Sequence, residues 1–260
     1  MTELKNTQAQ TSLNVLLIGD SCTDEYYIGT CDRLSPEAPV PVIKIVDHYV
    51  LDGMAANVNL NLTNLGIDTD FVTNTEQIIK TRYIDKRSGQ HLLRVDNERD
   101  IIPWSGRTPF PLDMYDAIVI SDYNKGFLTY EHIENIIKSV NCPVFIDTKK
   151  TDVERFQGAW VKINELEYNK LKSECTGLIV TLGDQGAKVP HHDIHCPTKI
   201  VEVMDVCGCG DTFLSALTAQ FLFTKDIEKA IMFANIAAGI TVQHRGNYAP
   251  TYDEIRIAGY

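Results

Sequence analysis

Four short, almost entirely apolar runs recur along this chain and constrain its fold more than any other feature. They are NVLLIG at 14–19, AIVISD at 117–122, PVFID at 143–147 and GLIVTLG at 177–183. Runs of this length, each followed by a turn or a polar residue, are typical of parallel strands that are covered on both faces. Segments of helical period lie around them, at about 53–65, 129–140, 164–173, 210–223 and 227–241. This alternation predicts an α/β fold: a doubly wound, mainly parallel sheet with helices on both faces.

Two stretches depart from this rhythm because polar and apolar residues alternate in them. They are 39–50 and 78–98, the second with a Ser-Gly turn between two strand candidates. Alternation of period two predicts an antiparallel sheet with one solvated face. We therefore expect a small β-sheet lid, contributed by about 22–50 and 78–98, within a single domain over 1–260. The exposed edge of such a lid favours pairing of two chains into a homodimer.

The charge balance excludes several kinds of partner. The chain has a formal net charge of −11, whereas binding to nucleic acid or to an anionic membrane surface rewards clustered Lys and Arg. Its first residues are polar, and no run reaches the roughly 18 apolar residues of a membrane span. We expect a cytoplasmic protein without nucleic-acid or membrane partners. Its seven cysteines, an odd number, suit reduced thiols better than disulfides.

The stretch DVCGCGDTF at 205–213 admits two interpretations. Cys207 and Cys209 suggest a metal or redox pair, and a thiol near a helix start can have a lowered pKa. Alternatively, Gly208 and Gly210 form a tight turn before a helix, whose first N–H groups bind an anion. A plain turn in which Asp211 caps the helix is also compatible with these nine residues. A second soft cluster, HHDIHC at 191–196, lacks two well-spaced ligand pairs, so we interpret it as an exposed turn.

Companion motifs favour the anion site. NELE at 164–167 and VTLGDQGAKV at 180–189, taken with Gly208-Cys209-Gly210-Asp211, resemble the Asn-x-x-Glu, Thr-x-Gly-x-x-Gly and Gly-Ala-Gly-Asp motifs of the ribokinase-like (PfkB) carbohydrate kinases. Within that family, RLSPEAPVPVIK at 33–44 and DGMAANVNLNLTNLG at 52–66 look like the D-glycero-D-manno-heptose-7-phosphate kinases of lipopolysaccharide precursor synthesis. The similarity extends from residue 14 to about 246.

The resemblance implies an ATP-dependent kinase that phosphorylates the anomeric hydroxyl of D-glycero-β-D-manno-heptose 7-phosphate. Asp211 would be the general base, and the backbone of Gly208, Cys209 and Gly210 would form the anion hole. Asn164 and Glu167 would organise Mg²⁺ through water. The residues implied on the nucleotide side are Lys149, Thr181, Gly183, Gly186 and Asn235.

On the acceptor side, the resemblance implies that Asp20, Asp24, Gly53 and Asn57 bind sugar hydroxyls. The cations that we expect near the acceptor's phosphate are Arg33, Arg82, Arg87, Arg94 and Lys125. The chain has Asp52-Gly53 where the family has Gly-Gly, and its segment between Gly66 and Arg82 is short for the family. A kinase for another sugar and a non-catalytic sugar-phosphate binder remain the alternatives. Because no His-x-Gly-His motif occurs, adenylyl transfer is not expected.

Overall fold

A computed structural model describes residues 13–259, with an eight-stranded sheet at its centre. In chain order, the strands of the molecule are β1 (Asn14–Gly19), β2 (Ser21–Leu34), β3 (Pro41–Met54), β4 (Asp68–Thr73), β5 (Ile78–Asp85), β6 (His91–Glu98), β7 (Ala117–Asp122), β8 (Val144–Thr148), β9 (Trp160–Asn164), β10 (Leu178–Thr181), β11 (Ala187–Val189) and β12 (Ile194–Cys196). The central sheet has the order β12, β11, β10, β9, β8, β7, β1, β4. Six neighbouring strands of this sheet pair in parallel: β4, β1, β7, β8, β9 and β10. Strands β11 and β12 extend the sheet as an antiparallel edge.

Helices cover both faces of this sheet. They are α1 (Ala55–Asn64), α2 (Tyr130–Ser139), α3 (Glu165–Tyr168), α4 (Cys209–Thr224), α5 (Ile227–Thr241) and α6 (Tyr252–Ile257). Strand β1 is apolar from Val15 to Ile18 because both of its faces are buried. Val15 and Leu17 pack in the hydrophobic cluster that includes α1, α4 and α5, whereas Leu16 and Ile18 pack in the cluster that includes α2. The doubly wound, mainly parallel sheet that the sequence predicts is therefore confirmed.

A second sheet of four strands, which we call the lid sheet, has the order β3, β2, β5, β6. Its outer pairs, β2 with β3 and β5 with β6, are antiparallel, as predicted. The central pair, β2 with β5, is parallel, so the prediction of an antiparallel sheet was wrong at this point. The reason is topological: β2 and β5 belong to two separate excursions from the central sheet, which leave it after β1 and after β4.

The helix predicted over 164–173 is much shorter than expected. Asn164 is its N-cap, and α3 ends at Tyr168. Its start is stabilised by a capping box, in which the Asn164 side chain accepts from the Glu167 N–H and the Glu167 carboxylate accepts from the Asn164 N–H. Leu166 is 74% exposed, and Tyr168 and Leu171 are the apolar residues of this segment that pack against the core, which is too little contact to stabilise a longer helix.

The helices that are described in 13–259 are all too short or too polar to cross a membrane.

Candidate active site

The start of α4 is the centre of the candidate site. Gly208 is its N-cap and has a φ of 73°, the left-handed conformation that glycine adopts readily. A Cβ at this position would lie 2.8 Å from the side chains of both Asn57 and Asn247. Because the first N–H groups of a helix have no acceptor within it, the turn at Gly208 directs donors and the positive end of the helix dipole outward. This local geometry suits an anion, as the motif predicted.

Asp211, in the first turn of α4, is buried and hydrogen-bonded through both carboxylate oxygens. Its Oδ2 accepts from the amide of Asn57 at 2.9 Å, and its Oδ1 accepts from the hydroxyl of Tyr123 at 2.7 Å. Asn57 lies on α1, and its own amide oxygen accepts from Asn61. The carboxylate is thus held between α1 and the loop that follows β7.

The environment of Asp211 makes it a stronger base than an exposed aspartate. Burial raises its pKa from 3.8 to about 6, although the hydrogen bonds from Asn57 and Tyr123 favour the charged form. Burial also raises the pKa of Tyr123 well above its usual value, and the neighbouring Asp211 adds to this. Tyr123 therefore stays a hydrogen-bond donor, and Asp211 is the member of the pair that accepts a proton near neutral pH.

A buried ion pair lies directly beside the turn. The ammonium of Lys162, on β9, contacts the Asp147 carboxylate at 2.6 Å, and a Cβ added to Gly210 would lie 2.8 Å from the same Nζ. Burial disfavours the charged form of Lys162, but Asp147 more than offsets this, so that the pKa is raised. Gly210 thus allows a permanent positive charge to sit against the start of α4.

A cleft of about 220 Å³ opens next to this charge. The predicted nucleotide-side residues Thr181, Gly183, Gly186 and Asn235 line it, together with Lys162, Cys209 and Gly210. Apolar side chains that also line the cleft are Ile200, Val201, Val203, Val206, Phe213 and Val242. An apolar surface beside a cation and helix donors suits a ligand with an apolar ring and an anionic tail.

Two of these positions are fixed by contacts within the protein. Gly186 has a φ of 85°, and a Cβ there would lie 2.1 Å from the carbonyl oxygen of Cys196. The amide of Asn235 donates to that same carbonyl at 2.9 Å. The hairpin of β10 and β11 is therefore packed tightly against the β12 edge, which shapes one wall of the cleft.

The predicted magnesium residues form a polar group of their own. Besides the capping box with Asn164, the Glu167 carboxylate contacts the ammonium of Lys149, which lies 3.8 Å from Asp147. Oxygen donors of this kind suit a hydrated Mg²⁺ held through water, but their engagement with N–H groups does not suit direct coordination. In residues 13–259, no group of three or more His, Cys, Asp or Glu side chains is arranged to hold a metal ion.

One predicted acceptor-side residue contacts Asp211, and two others contact each other on the lid sheet. Asn57 bonds to it directly. Asp24, on β2, forms a buried ion pair with Arg82 of β5 at 2.6 Å. A Cβ at Gly53 would lie only 2.2 Å from the Asp24 Oδ2, so this glycine is required for the close approach of that carboxylate.

Asp20 has a different environment from the one that the resemblance implies. It is fully buried, and its Oδ2 accepts from the backbone N–H groups of Tyr123 at 2.8 Å and Lys125 at 3.3 Å. Burial raises its pKa. In this geometry Asp20 fixes the loop that carries Tyr123, and it acts on the site through that loop.

Most of the cations predicted near the acceptor are exposed or paired elsewhere. Arg33 is exposed, and Arg87, whose side chain is 75% exposed, pairs with Asp32 at the end of the lid sheet. Arg94 pairs with Asp96 on β6, and Lys125 pairs with Glu98. The structure therefore brings Arg82 to the buried site, places Lys125 at its margin and does not bring Arg33 or Arg87 to it.

Two cysteines, Cys207 and Cys209, flank Gly208 at the start of α4. All seven cysteines of the chain are free thiols. Burial raises the pKa of Cys207 to about 11 and also raises that of Cys209, which does not favour the alternative of a lowered thiol pKa at the helix start. Desolvation of the thiolate outweighs the helix dipole here.

Sequence reasoning missed two residues of the site and one strained position. Lys162 interrupts the apolar run from Trp160 to Ile163, which is a signal that a charge is held in the core. Tyr123 gave no comparable signal, because its hydrogen-bond partner Asp211 lies 88 residues away in the sequence. Met54, the N-cap of α1, has φ 58° and ψ −132°, a conformation nearly restricted to glycine.

Comparison with known proteins agrees with this geometry. A family model described as pfkB family carbohydrate kinase matches residues 160–254, which include β9 to β12 and the start of α4. The bifunctional protein HldE of Vibrio parahaemolyticus is 33% identical over 304 aligned positions, covering 95% of this chain and 63% of the relative. HldE of Nitrosococcus oceani is 30% identical, covering 95% and 64%. The chain thus spans less than two thirds of these relatives.

Solved structures share the fold at lower identity. Ribokinase from Thermotoga maritima superposes with a TM-score of 0.72 at 18% identity, covering 95% of this chain and 99% of that one. Ribokinase from Arabidopsis thaliana, solved with ribose and ATP, gives a TM-score of 0.72 at 14% identity, covering 96% and 99%. At these identities the comparison supports the ribokinase-like fold alone.

Proposed function

The chain contains a carbohydrate kinase domain of the pfkB family, and on this premise we propose that it phosphorylates the anomeric hydroxyl of D-glycero-β-D-manno-heptose 7-phosphate with ATP. The products are the 1,7-bisphosphate and ADP. The heptose assignment is supported by the RLSPEAPVPVIK segment and by 33% identity to an HldE protein across 95% of this chain.

The position of Asp211 carries the proposal. It is bonded to Asn57 on the acceptor side, and its neighbour in the chain, Gly210, lines the cleft with the nucleotide-side residues. A carboxylate between two adjoining sites, with a pKa of about 6, is suited to general base catalysis between an acceptor in one and ATP in the other.

Transfer then proceeds as follows. Asp211 accepts the proton of the acceptor hydroxyl while that oxygen forms a bond to the γ-phosphorus of ATP. The bond between this phosphorus and the bridging oxygen of the β-phosphate breaks, and ADP leaves with its electron pair. The N–H groups at the start of α4 and the Lys162 ammonium stabilise the charge on the transferring group. Asn57 and Tyr123 keep the base oriented.

Magnesium fits this scheme at the polar group described above. Asn164 and Glu167 would hold the hydrated ion through water, where it would neutralise phosphate charge.

The decisive experiment is an ADP-release assay with a panel of acceptors. Heptose 7-phosphate is expected to give the highest kcat/KM, above unphosphorylated heptose, ribose and fructose 6-phosphate. Preference for an unphosphorylated pentose or hexose would replace the heptose assignment by another kinase specificity. Binding without turnover of any sugar would instead indicate a non-catalytic sugar-phosphate binder.

The pH dependence of the reaction follows from the pKa of Asp211. Because the base must be ionised to accept a proton, kcat/KM is expected to fall about tenfold per pH unit below about pH 6 and to level off above it. A pH profile of ADP release measures this. A profile that stays flat down to pH 4.5 would contradict a base with this pKa.

The lid sheet also supports pairing of two copies of this chain. Both of its edge strands carry exposed apolar side chains, with Val46 48% and Val50 50% exposed on β3, and Val95 45% exposed on β6. We expect a dimer by size-exclusion chromatography with light scattering, converted to a monomer by Val46→Asp with Val50→Asp. Ile257→Asp, which adds a charge at an exposed isoleucine of α6, is the control and is expected to stay dimeric. A monomeric native chain would contradict the proposal.

A further inference from the structure

The face of β5 that is turned away from solvent carries two cations. Its buried residues alternate along the strand and are Ile78, Lys80, Arg82 and Ile84. Strand β2 lies beside it with Asp24 in register with Lys80 and Tyr26 in register with Arg82. This inner face of the lid sheet is thus more positive than the acidic chain as a whole.

Lys80 differs from the other buried cations of the described chain. Four cationic side chains are buried in residues 13–259. Arg82 pairs with Asp24, Lys150 with Asp122, and Lys162 with Asp147. Lys80 is only 8% exposed, and among the described residues its ammonium has no carboxylate or other hydrogen-bond partner. Its two cross-strand neighbours are acidic, but each is already paired: Asp24 of β2 with Arg82, and Asp96 of β6 with Arg94.

The energetic consequence is that Lys80 favours an anion from outside the protein. A largely buried ammonium without a hydrogen-bonded counter-ion costs free energy. The ring of Tyr123, 5.4 Å from Nζ, and the Asp96 carboxylate, which is bound to Arg94, offset only part of that cost. An anionic group that reaches Lys80 would gain a strong, desolvated contact.

Tyr123 places Lys80 relative to the chemistry. The hydroxyl of Tyr123 donates a hydrogen bond to Asp211, and the ammonium of Lys80 lies over the ring of the same tyrosine. A hydroxyl at Asp211 and an anion at Lys80 are therefore separated by about one tyrosine side chain. That separation fits two ends of one small, extended molecule.

The nucleotide is a less suitable partner for Lys80. The cleft at the start of α4 is lined by Lys162 and by residues of β10 and α5, and Lys80 is not part of its wall. The charge lies on the lid sheet, on the side of Asp211 where Asn57 and Asp24 are found.

We propose that Lys80 is the principal ligand for a phosphate ester on the acceptor, distal to the hydroxyl that is phosphorylated. The inference rests on the proposed function, since it names the group by which that same site selects a phosphorylated sugar. Lys80 thereby takes the role that was predicted for Arg33 and Arg87. Both of these arginines are exposed, Arg33 on β2 and Arg87 in the turn after β5.

The test is Lys80→Met, which keeps the length of the side chain and removes its charge. Lys86→Met, an exposed lysine just beyond β5, is the matched control. For Lys80→Met we expect KM for heptose 7-phosphate to rise about 10- to 100-fold, while KM for ATP and kcat/KM for unphosphorylated heptose stay within about twofold. Lys86→Met should behave as the native chain. An equal loss with both acceptors, a raised KM for ATP, or no change would each overturn the proposal.

A binding measurement separates this inference from the proposed function. Without ATP, heptose 7-phosphate and, more weakly, inorganic phosphate are expected to raise the Tm of the native chain and of Lys86→Met, but not that of Lys80→Met. The Tm of unliganded Lys80→Met shows whether the variant is folded. If heptose 7-phosphate is not turned over but this pattern holds, the heptose kinase assignment fails and the phosphate site stands. Equal protection of both variants overturns the site.

Discussion

Asp211→Asn is expected to lower kcat by about 10²- to 10⁴-fold while leaving the binding of acceptor and ATP nearly unchanged. The substitution keeps the shape of the side chain, so Asn57 still has an oxygen to which it donates, and the new amide donates to the hydroxyl of Tyr123. What disappears is the capacity to accept a proton. Single-turnover ADP release together with calorimetric binding of each substrate measures the two effects separately.

The same variant is expected to be more stable than the native chain at neutral pH. Folding raises the pKa of Asp211 from 3.8 to about 6, so the native state disfavours the ionised carboxylate. The free-energy cost of ionising Asp211 in the folded state is absent below pH 3.8, where the group is protonated in both the folded and the unfolded state. The cost grows between pH 3.8 and about pH 6, and it is complete above about pH 6. Its size is about 3 kcal/mol. Asp211→Asn removes it, so Tm should rise at pH 8 and be almost unchanged at pH 4.

Asp113→Asn provides the control, because this exposed carboxylate lies in the short turn before β7. It is expected to change neither kcat nor Tm. Activity of Asp211→Asn above a tenth of the native value would remove Asp211 from the role of base, and a lowered Tm at pH 8 would contradict the assignment of its pKa.

The fold was largely predictable because its strongest constraints are local. Strand β1 is apolar at every position before Gly19 except Asn14, and only a strand with helices on both sides buries such a run. The parallel pairing of β2 with β5 was not predictable in this way, because both strands alternate as an antiparallel strand would. Their direction is set by how the chain leaves the central sheet.

The candidate site was predictable only where a motif fixes its own backbone. Gly208 and Asp211 are two examples, since a glycine turn before a helix determines the position of both. The partners of charged side chains were not predictable. Arg87 and Lys80 are only seven residues apart, yet Arg87 is exposed and ion-paired, whereas Lys80 is buried and has no hydrogen-bonded counter-ion among residues 13–259. Burial in the tertiary structure decides which charge is available to a ligand.

Lys162→Met tests the cation that sequence reasoning missed. The substitution leaves the buried Asp147 with only the more distant Lys149 ammonium, and loss of one partner of a buried pair destabilises a fold by about 3 kcal/mol. It also removes the positive charge next to Gly210. We expect a lowered Tm and a fall in kcat of about 10²- to 10³-fold.

The double variant Lys162→Met with Asp147→Asn separates these two effects. Removing both charges leaves no unpaired buried ion, so most of the lost stability should return. Activity should not return, because the transferring phosphate still lacks the cation. If kcat recovers together with Tm, Lys162 serves only to neutralise Asp147. If Tm recovers alone, the ion pair is maintained in the core so that its ammonium can stabilise the charge that develops at the start of α4.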